Sequence, residues 1–402
     1  MKRILFVIES LNLGGAEKSL VTLLNLLDYS KYQVDLLLFA KGGPFRELLP
    51  REVNLLPVPE YFAYTSISWK DLGSKLREPK KFFAQLRYSI SIRTGKHNHV
   101  EKAVLFWKAS RHCFGTMQKE YDVAIAYAQG IPTFFVAEKV RAKKKAAWIN
   151  ATYLPKGKYL NYIKPMYDQF DYVNAVSESV RQQMQNTFAI PDMKAIVIKD
   201  ILDVHFAYRM AEMPSNAEKE MPPHGLRILT VGRLAYMKGY DIAIEAARLL
   251  EKCGIDFIWY FLGEGSLRKK LEEQISSYDL QEKVILLGSS NNPYPYFKAC
   301  DLYVQPSRFE GFGITLAEAK MFRKPIVTTN FDAVGTQFTN EENGLIVDIS
   351  AQAIADGILR MLTDAELRER CMTNLAKEKI GNTEEIEKFY QMVESCETTF
   401  VQ

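Results

Sequence analysis

Short apolar runs of four to eight residues recur along this chain, separated by stretches in which apolar residues return every three or four positions. The runs read as strands buried on both faces and the intervening stretches as amphipathic helices. The alternation therefore predicts repeated βα units around mainly parallel sheets, an α/β class. In the first half the expected strands are Arg3–Ile8, Val34–Phe39, Val53–Val58, Val123–Tyr127, Ala146–Ile149, Tyr172–Val176 and Ala195–Ile198. After a polar, proline-containing stretch from Met213 to Gly225 the pattern restarts with Arg227–Val231, Phe257–Leu262, Val284–Leu287, Leu302–Val304, Ile326–Thr328 and Leu345–Val347. Two doubly wound, Rossmann-like domains, 1–205 and 206–383, are the simplest arrangement. A terminal segment, 384–397, carries Ile386, Phe389, Tyr390 and Val393 at i, i+3, i+4, i+7 and needs a surface to cover, on the second domain or back on the first. No internal repeat or low-complexity tract is present, which sets aside solenoids and arrays.

Composition narrows the class. The 402 residues exceed what one core usually organises, and 47% hydrophobic with 25% charged residues is globular, neither disordered nor a disulfide scaffold. Five cysteines without a CxxC pair, and five histidines without HExxH spacing, give no basis for disulfides or a metal site and fit a reducing cytoplasm. The apolar run in MKRILFVIES stops at Glu9, too short for a signal peptide, and nothing approaches the roughly 20 apolar residues of a spanning helix. The expectation is a cytoplasmic protein, soluble or held at a membrane surface.

The net charge of +4 conceals a split: Lys and Arg outnumber Asp and Glu by 30 to 19 up to His205, giving +11, whereas the remainder carries −7. The densest basic stretch, Ile67 to Gln118, interleaves Lys80, Lys81, Arg87, Arg93 and Lys108 with Trp69, Phe82, Phe83, Tyr88, Phe106 and Trp107. Within it Phe82, Phe83, Leu86 and Ile90 fall on one helical face with cations near or outside it, the pattern of a helix lying on an anionic membrane, or of a core stripe with a solvated rim. Lys139 to Lys145 adds five cations to the same domain. Nucleic acid is not an expected partner, because the second half is acidic and no RRM, KH or helix-turn-helix pattern occurs.

In open α/β sheets ligands bind beyond the carboxyl ends of the strands. After the first strand, Gly14 and Gly15 open a helix and free backbone amides for an anion or a sugar; a tight turn without a ligand is the plain alternative. The second domain opens with a strand leading to Gly232, Arg233 and Lys238, cations that suit a diphosphate or are simply solvated. Gly263-Glu-Gly265 makes another turn at the same edge. Pro306 to Ala319 then offers Glu310 in a glycine-containing loop and Glu318 on the next helix. The amides of Gly313, Ile314 and Thr315 can receive phosphate oxygens and Glu318 can accept from the vicinal hydroxyls of a ribose, which leaves Glu310 for a sugar. Two ordinary surface carboxylates remain the alternative.

At these residues the chain resembles glycosyltransferase family 4, retaining nucleotide-sugar enzymes of GT-B fold, with two Rossmann-like domains facing a cleft. The resemblance spans nearly the whole chain: Gly14-Gly-Ala-Glu17, Val231-Gly-Arg233 with Lys238-Gly239, Gly263-Glu-Gly265, Asn292 to Tyr296 before Ala299-Cys-Asp301, the two glutamates, and Asn343 to Val347. It implies that Arg233 and Lys238 bind the donor diphosphate, Glu318 the ribose and Glu310 the donor sugar, and that Gly14, Gly15 and Asn150 lie on the acceptor or sugar side. It also implies no cofactor and no metal, since no DxD motif is present. Asn150 stands where the family commonly has histidine, Asp200 where it often has asparagine, and Gly335 is single where two glycines are usual. The implied function is transfer of a hexose or N-acetylhexosamine from a UDP-sugar to a glycan acceptor in cell-surface polysaccharide synthesis. The implied acceptor is polyprenyl-diphosphate-linked, met by a peripheral enzyme on the inner face of the plasma membrane. A GDP-mannose donor, or a non-catalytic nucleotide-sugar-binding subunit of a pair, are the alternatives.

Overall fold

The computed structural model describes residues 1–12, 14–68, 71–150 and 155–395. Trp69, residues 151–152 after Asn150, and positions 396–397 of the terminal segment lie outside the described residues. The chain divides into two compact units, Met1–Asp200 with Glu384–Gln402, and Ile201–Thr383. The division expected at 205/206 thus falls at Asp200/Ile201.

In the first unit β1 (Lys2–Ile8), β2 (Tyr32–Leu38), β3 (Asn54–Leu55), β4 (Glu120–Ala126), β5 (Arg141–Ile149), β6 (Tyr172–Ala175) and β7 (Ala195–Val197) form a seven-stranded sheet ordered β3-β2-β1-β4-β5-β6-β7. Every pairing is parallel, with Phe6 opposite Leu36 on one side and Ile125 on the other. Ile4 to Val7 are completely buried, as continuously apolar central strands must be when helices cover both faces. The terminal helix Glu385–Glu394 belongs to this unit: Phe389 stacks on Phe6 with ring centroids 5.9 Å apart, and Tyr390 on Tyr32 at 5.5 Å.

In the second unit β8 (Leu226–Val231), β9 (Phe257–Leu262), β10 (Val284–Gly288), β11 (Leu302–Gln305), β12 (Ile326–Thr329) and β13 (Leu345–Val347) form a parallel sheet ordered β10-β9-β8-β11-β12-β13. Its core joins Ile228, Trp259, Phe261 and Val304 to Ala243, Ala246 and Ala247 of the helix Tyr240–Lys252, and small residues at those positions let the helix lie close to the strands.

The thirteen expected strands all form, most within three residues of the expected ends, and two differ markedly in extent, for clear reasons. Val53–Val58 contributes only Asn54–Leu55, because Pro57 and Pro59 cannot donate to a ladder. β5 begins at Arg141 rather than Ala146 and absorbs most of the basic run. There Lys143 pairs with Asp122 at 2.7 Å, Lys144 reaches the Ser395 hydroxyl at 3.0 Å, and Lys145 donates to the Ala137 carbonyl at 2.8 Å. These three lysines are thus engaged within the unit, toward the end of β5 opposite Asn150. Among the described residues no helix is long and apolar enough to cross a membrane.

Candidate active site

The second sheet reverses its order between β8 and β11, and ligands of open α/β sheets bind at the carboxyl edge of such a switch point. Gly232 and Arg233 follow β8, a single 3₁₀ turn Tyr236–Lys238 comes next, and Gly239 leads into the helix Tyr240–Lys252. Gly239 has φ +68°, and a Cβ there would stand 1.9 Å from the Pro306 carbonyl oxygen, so the two loops meet backbone to backbone. A Cβ on Gly263, after β9, would likewise lie 1.8 Å from the Gly232 carbonyl oxygen.

This packing brings Lys238 against Glu310. Oε1 of Glu310 accepts from Lys238 Nζ at 2.6 Å, Gln305 Nε2 at 2.7 Å and Ser307 Oγ at 2.7 Å. Gln305 and Ser307 are buried. The Gln305 side-chain carbonyl accepts from the Tyr303 hydroxyl and, at 3.3 Å, from Thr315 Oγ1, which orients the amide so that its NH₂ faces Glu310. Thr329 Oγ1 donates to the Ser307 carbonyl at 2.6 Å and secures the loop from below. Burial raises the Tyr303 phenol far above its ordinary range, so it acts here as a neutral hydrogen-bond donor.

Arg308 joins the two loops a second time. It grips both carboxylate oxygens of Asp241 at 2.8 and 2.7 Å, and its guanidinium lies 4.2 Å from the Tyr236 ring centre. Burial pushes the Asp241 carboxyl up, but the Arg308 hydrogen bonds and charge prevail and hold it below its ordinary value. Arg233, by contrast, is exposed and makes no ion pair among the described residues.

Gly313, at φ +83°, starts the helix Ile314–Met321, and no side chain among the described residues caps it. The first-turn amides of Ile314 and Thr315 therefore face outward at its positive end, as an anion site requires. Glu318, one turn along, is buried and accepts from the Tyr294 hydroxyl at 3.1 Å. Desolvation, reinforced by the Glu318 charge, pushes the Tyr294 phenol well above its ordinary value.

Gly232, Arg233, Lys238, Gly263, Glu310, Gly313, Ile314, Thr315 and Glu318 all lie beyond or beside the carboxyl ends of β8, β9 and β11. Gly14, Gly15 and Asn150 lie in the other unit. Gly14 precedes the helix Gly15–Leu26 in an extended conformation, and the Glu17 carboxylate folds back toward it, so this turn presents an acceptor beside its amides. Asn150 follows β5 and donates to the Tyr127 carbonyl at 2.8 Å, while its buried Oδ1 has no partner among the described residues. The Tyr127 hydroxyl meets Ser19 Oγ at 2.9 Å. Burial pushes the nearby Asp200 carboxyl up to about 6 against an opposing Ser19 hydrogen bond.

Sequence reading alone does not single out Gln305, Tyr303 or the Arg308–Asp241 clasp, and meets Tyr294 only as part of the segment Asn292 to Tyr296. Ser307 offers a weak signal, three residues before Glu310 on a tight loop. On the surface of the first unit, the helix Pro79–Arg93 turns Lys80, Phe83, Arg87 and Ile90 outward, with Phe83 64% and Ile90 54% exposed. Phe82 and Leu86, expected on the same face, are half-buried against the unit, so the apolar stripe is split between core and solvent.

Residues 214–378 match the family model described as Glycosyl transferases group 1. The chain is 29% identical over 209 residues to the N-acetylgalactosamine-N,N'-diacetylbacillosaminyl-diphospho-undecaprenol 4-alpha-N-acetylgalactosaminyltransferase of Campylobacter jejuni, across 52% of this chain and 55% of that protein. It is 33% identical over 152 residues to the alpha-D-kanosaminyltransferase of Streptomyces kanamyceticus, across 37% of this chain and 39% of that one. The chain thus spans about half the length, or less, of these curated relatives. Among solved structures it superposes on a point mutant of Staphylococcus aureus TarM in complex with fondaparinux, alpha-GlcNAc-glycerol and UDP, with a TM-score of 0.70 at 18% identity, covering 98% of this chain and 100% of that one. The fold is GT-B.

Proposed function

We propose that this chain, whose residues 214–378 match the glycosyl transferases group 1 model, is a retaining glycosyltransferase that moves a hexose or N-acetylhexosamine from a UDP-sugar to a lipid-linked glycan acceptor. The observation that carries the reading is the Lys238–Glu310 pair held at the switch point of the second sheet, beside the uncapped helix start at Gly313. A sugar nucleotide needs cations and amides for its diphosphate, a carboxylate for the ribose and another for the sugar, and this edge of one sheet supplies each.

As the bond from the anomeric carbon to the diphosphate oxygen breaks, negative charge grows on the diphosphate. Arg233, exposed and unpaired among the described residues, and the amides of Ile314 and Thr315 meet that charge. Lys238 carries three N–H donors and can add one to the diphosphate while keeping Glu310. The acceptor hydroxyl attacks from the face the diphosphate leaves, its proton passes to the departing oxygen, and the new glycosidic bond keeps the anomeric configuration. In this scheme the cations and amides take the part a metal ion would otherwise play.

The Campylobacter relative's name includes a diphospho-undecaprenol acceptor, and the TarM complex contains UDP. With the +11 charge of residues 1–205, these support an anionic lipid-linked acceptor reached by a peripheral enzyme on the cytoplasmic face of the membrane. UDP release measured across a panel of sugar nucleotides, GDP-mannose included, with a crude lipid-linked acceptor tests the reading. Turnover of a UDP-sugar is expected, with Glu310→Ala losing most of it while remaining folded; neither binding nor turnover of any sugar nucleotide would overturn it.

A further inference from the structure

We infer that Gln305 and Ser307 are positioning residues that commit Glu310 to the donor sugar through a single oxygen, Oε2. The inference rests on the donor-site reading above and deepens it. Three donors converge on Oε1: Lys238 Nζ at 2.6 Å, Gln305 Nε2 at 2.7 Å and Ser307 Oγ at 2.7 Å. A carboxylate oxygen offers about two lone-pair directions, so Oε1 has no capacity left for a substrate hydroxyl. Oε2 accepts from no described residue, and the Glu310 side chain is 10% exposed, so the carboxylate presents one open edge.

Gln305 controls which edge is open. Its own side-chain carbonyl is claimed by Tyr303 and Thr315, so its NH₂ faces Glu310 and cannot trade places with the oxygen without leaving those donors facing an amide. Ser307 also accepts from Gln305 Nε2 at 2.8 Å and passes its own proton toward Glu310. Because Gln305 and Ser307 are 1% and 0% exposed, water does not compete for these bonds. The lysine supplies charge, but a flexible ammonium fixes no direction; the amide and hydroxyl supply the direction. The consequence is a Glu310 that acts toward substrate only as an acceptor, and so takes a sugar hydroxyl on its Oε2 side.

Gln305→Glu tests this because it preserves shape and the acceptor for Tyr303 and Thr315, and removes the NH₂ group that donates to Glu310 and to Ser307. The titratable groups around the new carboxyl are Glu310, Lys238 and Tyr303, with Glu318 beyond Tyr303. Deprotonated, it repels Glu310; protonated, it can donate to Oε1 again. Turnover of the variant at pH 8 is expected to fall roughly 10–100-fold, the scale of a misplaced catalytic group, with UDP affinity by calorimetry within about twofold of the parent. Relative to the parent, turnover should recover as pH is lowered toward 5.5. Gln305→Leu should lose turnover without that recovery, and Ser307→Ala, which removes one donor of three, should lose less.

A pH profile parallel to the parent's, or losses of turnover that merely track losses of UDP affinity and melting temperature, would overturn the inference. A crystal structure of Gln305→Glu at pH 8, or of Ser307→Ala if the former does not fold, decides it independently of turnover. The Glu310 carboxylate should be rotated away from its present contacts, and finding it in place would overturn the positioning role. Should the parent turn over no sugar nucleotide, the functional reading fails, while this structural outcome still decides what holds Glu310.

Discussion

Arg308 holds Asp241 with two parallel hydrogen bonds, 2.8 and 2.7 Å long, and thereby ties the loop that carries Glu310 to the helix that follows Lys238. Backbone contacts add to the clasp, since the amides of Arg308 and Phe309 both donate to the Met237 carbonyl. The Lys238–Glu310 distance is therefore set by a joint that contacts neither residue's side chain.

Arg308→Met should open that joint. Asp241 is 36% exposed, so solvent screens the pair and the loss of stability should be about 1 kcal/mol, not the several of a fully buried one. That corresponds to a melting temperature lower by about 2–4 °C. Turnover should fall further than stability, by about tenfold, because small misplacements of reacting groups are costly. Differential scanning calorimetry beside UDP-release kinetics checks both; a variant with lower stability and unchanged turnover would show that the joint only braces the fold.

Glu318 predicts a ribose-specific effect. A charge-assisted hydrogen bond is worth about 1.5–3 kcal/mol, so Glu318→Gln should weaken UDP binding by roughly 10–100-fold. The parent should discriminate against 2'-deoxy-UDP by a similar factor and the variant by less, because its amide oxygen accepts from the hydroxyl without the carboxylate's charge. Calorimetry with the two nucleotides measures it, and equal discrimination by parent and variant would remove Glu318 from the ribose.

How far the sequence carried this picture depends on the range of the interaction. Strands such as Phe257–Leu262 and Leu345–Val347 are legible to the residue because apolar runs bounded by glycine or polar turns leave no alternative. The glycines at 232, 239, 263 and 313 are legible as turns. Their tight backbone contacts are not, since Gly239 meets Pro306 only once two loops distant in sequence come together. Gln305 is hidden for the same reason: it reads as the polar end of an apolar strand, and only the fold sets Tyr303, Thr315 and Glu310 around it. The lysines of β5 are legible as a basic run, but not their partners: Lys143 pairs with Asp122, Lys144 reaches Ser395 and Lys145 the Ala137 carbonyl. Lys143 nevertheless stays exposed, whereas Lys144 and Lys145 are half-buried.

The outward face of the helix Pro79–Arg93 carries what remains of the membrane reading. Phe83 and Ile90 are two turns apart with Lys80 and Arg87 beside them, so an apolar edge can enter the headgroup boundary while the cations meet anionic lipid. Co-sedimentation with vesicles containing phosphatidylglycerol should exceed that with phosphatidylcholine alone, and Phe83→Ser with Arg87→Glu should abolish the difference. The buried neighbour Ala84 is left untouched, so folding should be preserved. Equal binding to both vesicle types by the parent would reject the surface.

Asp200 predicts a pH dependence of stability that the asparagine common in the resembling family would lack. The carboxyl is buried near Tyr127 and Ser19, and desolvation raises it from 3.8 to about 6. The folded chain therefore holds its proton more tightly than the unfolded chain. Stability from this group is fully present below about 3.8 and is lost as pH rises through about 6, a loss of up to about 3 kcal/mol by neutral pH. Asp200→Asn keeps the size and can still hydrogen-bond Ser19, but has no charge to bury. The variant should match the parent in melting temperature at pH 4 and exceed it by several degrees at pH 8, the gap opening between those values. Parallel melting curves for the two proteins across that range would mean that Asp200 stays solvated or paired when ionised, and that its substitution for asparagine costs the fold nothing.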